Sequence, residues 1–128
     1  MARKVQLLVS AVNKDAAVLA EQMHIHSDAV IVNQCDRYAY EEIDLRGHRL
    51  QVFSMPERGV GLSRNTALLH ADADICVFSD EDIVLKEDYG EQINRVYDEL
   101  PDADMILVNV QAAPARRTYW NEDIHRIN

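Results

Sequence analysis

Two aspartates one residue apart, Asp80 and Asp82, follow the apolar run Ile75-Cys76-Val77-Phe78. Side chains along a strand alternate between faces, so positions i and i+2 share a side. If strand geometry persists through Glu81, the two carboxylates point together. Two hard oxygen donors on one side suit Mg²⁺ or Mn²⁺, which keeps several waters and takes its remaining ligands from substrate phosphates. Taken alone, Asp-Glu-Asp after a strand is more often a solvated acidic turn. Upstream, Arg58-Gly59-Val60-Gly61-Leu62-Ser63-Arg64-Asn65 places two glycines and an arginine at the head of a helical run. The glycines suit a turn that needs positive φ. The Gly-x-Gly lacks the third glycine of a dinucleotide fingerprint. Arg64 fits either a helix-surface ion pair or an anion contact, and Asn65 reads as structural.

The other reactive residue types carry less. His24 and His26 stand at i and i+2 near a helix end and do not share a face, so they make a poor zinc pair. His48, His70 and His125 show no ligand spacing, and no serine or cysteine carries a nucleophile signature. Net charge is −9 with no basic run. Nucleic-acid binding needs Lys and Arg to release counterions from phosphates, so that class is excluded. An acidic chain that binds a phosphorylated ligand needs a metal or local arginines, and the Asp80/Asp82 pair with Arg64 meets that need.

The elements that would position these residues follow from periodicity. With 128 residues, 48% of them hydrophobic and 27% charged, the chain is one soluble domain with a sizeable core. Val5 to Ser10 and Ala29 to Val32 read as buried strands around a helix with Ala16, Leu19, Ala20 and Met23 on one face, capped by Asn13. Residues 37 to 48 are polar and read as a loop with a short helical turn. Leu50 to Phe53 is a third strand, ended by Pro56. Leu62 to Ala71 is a helix with Leu62, Thr66 and Leu69 spaced for burial, and Ile75 to Ser79 is a fourth strand. Lys86 to Leu100 is a helix, with Tyr89, Ile93, Val96, Tyr97 and Leu100 spaced along one face and Pro101 as its stop, and Met105 to Val110 is a fifth strand. The tail from 111 to 128 has no assignment.

Strands alternating with helices imply a mostly parallel sheet covered on both faces, with ligands bound beyond the carboxyl ends of the strands. Ser10 to Asn13, Asn33 to Asp36 and Asp80 to Asp82 all lie at such ends. No apolar run approaches the ~20 residues of a membrane span. Two cysteines and no cleavage pattern after Met1-Ala2-Arg3-Lys4 point to a reducing, cytoplasmic setting.

In order and spacing, Arg58 to Asn65, then Ala71 to Asp74, then Phe78-Ser79-Asp80-Glu81-Asp82-Ile83 resemble the central block of the family 2 glycosyltransferases of GT-A fold. That block runs as a Gly-x-x-x-Ala-Arg-Asn segment, a helix, an apolar strand and a DxD motif. The resemblance covers about the first 110 residues and is tightest from 49 to 85. It implies a Rossmann-like α/β sheet, a nucleotide-diphosphate sugar as donor, a saccharide or lipid-linked saccharide as acceptor, and a bound Mg²⁺ or Mn²⁺. Peripheral membrane association is compatible with such an acceptor. By resemblance Asp82 is the direct metal ligand, Asp80 stands nearer the ribose or a metal-bound water, Gly61 lies beside the nucleotide, and Arg64 contacts it.

The strand ends depart from the family pattern. Where members have Pro-x-Tyr-Asn after the first strand, this chain has Ser10-Ala11-Val12-Asn13. Where they have Asp-Asp-Gly-Ser after the second, with an aspartate reading the base, it has Gln34-Cys35-Asp36-Arg37. Gln34 or Asp36 would take that part. Inverting members use a carboxylate, often in a Glu-Asp pair, to deprotonate the acceptor hydroxyl. Glu122-Asp123 is the late Glu-Asp pair here, which makes Asp123 the candidate base. It comes earlier after the DxD than in the family. The expected organisation is a single GT-A-like nucleotide-sugar-binding domain over residues 1–128, with the acceptor-binding half short or missing. Direct displacement with inversion is the expected reaction. A binding module of the same fold without turnover is the alternative. A nucleotidyltransferase ranks below both, because residues 10 to 15 offer Lys14 but no glycine.

Overall fold

The computed structural model describes residues 2–108 of the chain. Strand β1 (Val5–Val12) is buried along nearly its whole length, as a strand covered on both faces must be. Helix α1 (Ala16–Met23) follows, and its N-cap is Asp15, whose Oδ1 accepts from the Ala17 and Val18 amides at 3.1 and 3.2 Å. Asn13 is not the cap. It takes a left-handed φ of 50° and donates its N–H to the Gln34 carbonyl at 2.9 Å. Ala16, Leu19, Ala20 and Met23 are buried as their spacing predicts. Strand β2 (Asp28–Gln34) then pairs parallel with β1.

Residues 37 to 48 are not a loop. Strand β3 (Ala39–Leu45) and strand β4 (His48–Met55) form an antiparallel hairpin across Arg46-Gly47, whose φ values are 52° and 84°. Two successive positive φ values are the hairpin turn whose twist matches its strands. β3 is an edge strand and largely exposed. Such a strand needs no apolar alternation, so hydrophobic patterning could not reveal it.

Helix α2 (Val60–Leu69), strand β5 (Ile75–Asp80) and helix α3 (Tyr89–Glu99) complete the described elements. The sheet order is β3-β4-β2-β1-β5, all parallel except β3. This is the α/β, mostly parallel architecture expected. α2 buries Ser63 and Ala67 rather than Leu62 and Leu69, and Leu69 is 81% exposed. The helix lies close to the sheet on its small residues, which leaves the leucines facing out. α3 begins at Tyr89, three residues later than expected, after a turn from the Tyr89 amide to the Lys86 carbonyl. Met105 to Val108 form no strand, and Met105, Leu107 and Val108 are exposed. Residues 109 and 110 of that expected strand lie outside the described residues.

Alternation along β2 divides the core. Ala29 and Ile31 join Leu7, Val9 and Leu50 under α1, with Tyr89 of α3 in the same cluster and Ile93 and Tyr97 packed against it. Val30 and Val32 face the other way with Leu8, onto Ala67 of α2. Phe53 of β4 stacks on His70 just beyond α2, with ring centroids 4.0 Å apart and planes 16° from parallel. One face thus carries α1 and α3, the other α2. Their shared carboxyl edge is where β1, β2 and β5 deliver the predicted residues.

Candidate donor-binding site

The chain leaves β1 toward β2 and reaches β5, on the other side of β1, only after α2. Strand order therefore reverses between β1 and β5, and a crevice opens beyond their carboxyl ends. The register puts Ser10 of β1 opposite Asp80 of β5. Ser63 of α2 is fully buried and donates its hydroxyl to Ser10 Oγ at 2.8 Å. From the next residue of α2, the Arg64 guanidinium reaches Asp80 Oδ1 at 3.3 Å, with both side chains about half exposed. Ser10, Arg64 and Asp80 are thus brought to one place by three elements.

Asp82 belongs to a different local geometry from the one expected. β5 ends at Asp80, and the Ile83 amide donates to the Asp80 carbonyl at 3.2 Å. Asp80 to Ile83 is a turn, so strand alternation does not aim Asp80 and Asp82 together. Glu81 is tied down instead, accepting the Val12 amide on Oε2 at 2.9 Å. Asp82 is exposed and makes no hydrogen bond or ion pair with the described residues.

The glycine segment is built as a strap. Gly59 is the N-cap of α2 at φ 126° and ψ 130°, a conformation closed to other residues. Its carbonyl accepts from the Ser63 amide at 3.0 Å and from Gln34 Nε2 at 2.9 Å. Arg58 donates to the Gln34 carbonyl at 3.1 Å. Gln34, only 5% exposed, thus holds the loop before α2 with its side chain and anchors Arg58 with its backbone. A base contact through that amide would require the Gly59 bond to open. Gly61 stands in the first turn of α2, and a methyl group added there would meet nothing.

Asp36 lies just past β2 with its side chain 86% exposed, beside Arg37 at 3.7 Å. Asn13 contributes its backbone to the β1–β2 connection, as described above. Its neighbour Asn33 does more: the buried amide accepts the Lys14 N–H at 3.1 Å and donates to the Lys14 carbonyl at 2.8 Å. Asn33, Ser63, Arg58 and Glu81 were not singled out as site residues from the sequence. Asn33, Arg58 and Glu81 bind backbone groups and Ser63 binds another serine hydroxyl, and such partners leave no spacing signature. Asp123 lies outside the described residues.

The donor set at this edge is hard oxygen, from Asp80 and Asp82, beside one guanidinium. It suits a small divalent cation that draws other ligands from water and phosphate. Among the described residues no group of three or more His, Cys, Asp or Glu side chains is placed to hold a metal without such help. A cavity of about 580 Å³ opens at the opposite, amino end of the strands, lined by Arg3, Lys4, His26, His48 and Asp98 among others. Two of its cations are spent internally, Arg3 on Asp98 at 2.9 Å and Lys4 on Asp28 and Asp72 at 3.5 and 3.4 Å. The meeting of Ser10, Arg64 and Asp80 is at the carboxyl edge, away from this cavity.

No helix among the described residues is long and apolar enough to cross a membrane. No curated protein and no solved structure matches the chain. A family model described as glycosyl transferase family 2 matches residues 17–127, which takes in every element from α1 onward and the tail that contains Asp123. With that match over most of its length, and an α/β sheet that ends in the Asp80–Asp82 turn, the chain belongs to glycosyl transferase family 2 and has the GT-A fold.

Proposed function

We propose that the chain is a metal-assisted glycosyltransferase or the donor-binding part of one. It takes a nucleotide-diphosphate sugar as donor and a saccharide or lipid-linked saccharide hydroxyl as acceptor. The observation that carries this reading is the meeting of Ser10, Arg64 and Asp80 at the strand-order reversal, next to Asp82, which has no partner among the described residues. Family membership supports the reaction class.

In this reading Asp80 and Asp82 hold Mg²⁺ or Mn²⁺, which when bound offsets the charge of the diphosphate leaving group. Arg64 adds a fixed cation, so that binding the donor exchanges its Asp80 partner for phosphate or ribose. The open face of Gly61 lets the nucleotide approach α2, while Ser10 and Asn13 border it from the end of β1. Asp36 is the better placed of the two base-reading candidates, since Gln34 is engaged with Gly59. The acceptor oxygen forms its bond to the anomeric carbon as the bond to the diphosphate breaks, with inversion. Its proton passes to a carboxylate, for which Asp123 is the candidate. Two free cysteines agree with a reducing, cytoplasmic site of action.

Calorimetric titration with UDP and dTDP, in Mn²⁺ and in EDTA, tests the reading. Binding should require the metal and should weaken at least tenfold in Asp82→Ala, since a metal ligand is lost outright. Binding without turnover of any nucleotide sugar would favour the non-catalytic module. Absence of all nucleotide binding by a folded chain would leave the family likeness as one of fold.

A further inference from the structure

β1 outruns β5. Asp80, the last residue of β5, pairs with Ser10, while β1 continues to Val12. Successive N–H groups of a parallel strand point alternately to its two neighbours. The Asn13 amide goes to β2, at the Gln34 carbonyl. The Val12 amide therefore faces the side where β5 would lie if it continued. The β5 backbone has turned away there, through the Ile83-to-Asp80 bond. Glu81 fills the gap from its side chain, accepting the Val12 N–H on Oε2 at 2.9 Å.

We infer that Glu81 is a positioning residue: it carries the β1–β5 ladder one bond farther and ties the Asp80–Ile83 turn to the end of β1. The inference rests on the donor-site reading above. Asp80 is already fixed by strand pairing and by Arg64. Among the described residues Asp82 has no such hold, so the tether one residue before it sets where its carboxylate stands. The requirement is for an acceptor at a given reach, not for charge. Glutamine keeps both the reach and a carbonyl acceptor. Aspartate keeps the charge and is one methylene short.

The test uses the full chain and two readouts, exchange of the Val12 amide by NMR and calorimetric titration with UDP and dTDP in Mn²⁺. Glu81→Gln should retain slow Val12 exchange and wild-type binding. Glu81→Ala and Glu81→Asp should exchange Val12 faster and bind nucleotide roughly tenfold more weakly, the loss of one hydrogen bond. Wild-type affinity in both shortened variants would overturn the inference. So would retention in Glu81→Asp with loss in Glu81→Gln, because Glu81 would then act on the ligand by its charge. A wild-type chain that binds no nucleotide defeats the donor-site reading itself, whereas a wild type that binds with variants that bind equally defeats only the tether.

Discussion

Gly59 and Gly61 are two residues apart and are glycine for different reasons. Gly59 sits at φ 126°, where a side chain is strained whatever space surrounds it. Gly59→Ala should cost about 1–3 kcal/mol of stability, read as a lower urea midpoint. Gly61 is helical and an added methyl meets open space, so Gly61→Ala should leave stability unchanged or raise it by about 0.5–1 kcal/mol through helix propensity. Yet the same methyl would stand where the nucleotide is proposed to lie. Gly61→Ala is therefore expected to weaken UDP or dTDP binding while its thermal midpoint holds or rises. Unchanged affinity in that variant would remove Gly61 from the binding surface. The residue scale also marks what could be read directly. An ion pair was one of the two readings of Arg64, and the structure makes it, with Asp80. The bond from Gln34 to Gly59 was not, since it joins residues 25 apart through a loop carbonyl that no pattern encodes.

Among the elements, α3 is held by one side chain at its start. The Tyr89 hydroxyl donates to Ser27 Oγ at 2.6 Å and accepts the His26 amide at 3.0 Å, while its ring joins the main core cluster. Burial pushes the phenol above its ordinary value of 10.0, although the bond to Ser27 pulls the other way. A neutral acid with a raised folded pKa stays protonated longer in the folded than in the unfolded state. Its stability contribution is full below about pH 10 and is lost as pH rises through the folded value. Lys4, held protonated chiefly by Asp72, adds an effect of the same sign. Tyr89→Phe should cost about 1–2 kcal/mol near neutral pH, from the lost hydroxyl bonds. It should also flatten, without abolishing, the fall in urea midpoint toward about pH 11. An equal fall in both proteins would mean that Tyr89 ionises freely. The apolar face of α3 was legible, because Tyr89, Ile93 and Tyr97 recur at helical spacing. The β3–β4 hairpin was illegible for the opposite reason: an exposed edge strand has no buried face to pattern.

Across the whole molecule, stability and the proposed site meet in α2. The helix rests on the sheet through Ser63 and Ala67, which are 0% and 1% exposed. It carries Arg58 and Gly59 at its head, and Arg64 toward Asp80. Sequence reasoning put the leucines inward because it ranks by hydrophobicity, whereas the structure selects small residues so that the backbone can approach β1 and β2. The same closeness permits the Ser63–Ser10 hydrogen bond and sets the reach of Arg64 to the end of β5. Ala67→Leu forces extra volume between α2 and the Leu8, Val30 and Val32 face. It should cost about 1–3 kcal/mol by overpacking, and by lifting the helix it should also weaken metal-dependent nucleotide binding. Leu69→Ala, at a position 81% exposed, serves as the control and should alter neither property. Urea unfolding and titration of both variants separate the outcomes. Lost stability with wild-type affinity would show that the crevice tolerates movement of α2, and Arg64 would then have no fixed part in holding the donor. Parallel loss of both would make the small-residue seat of α2 the feature that joins the core to the donor site.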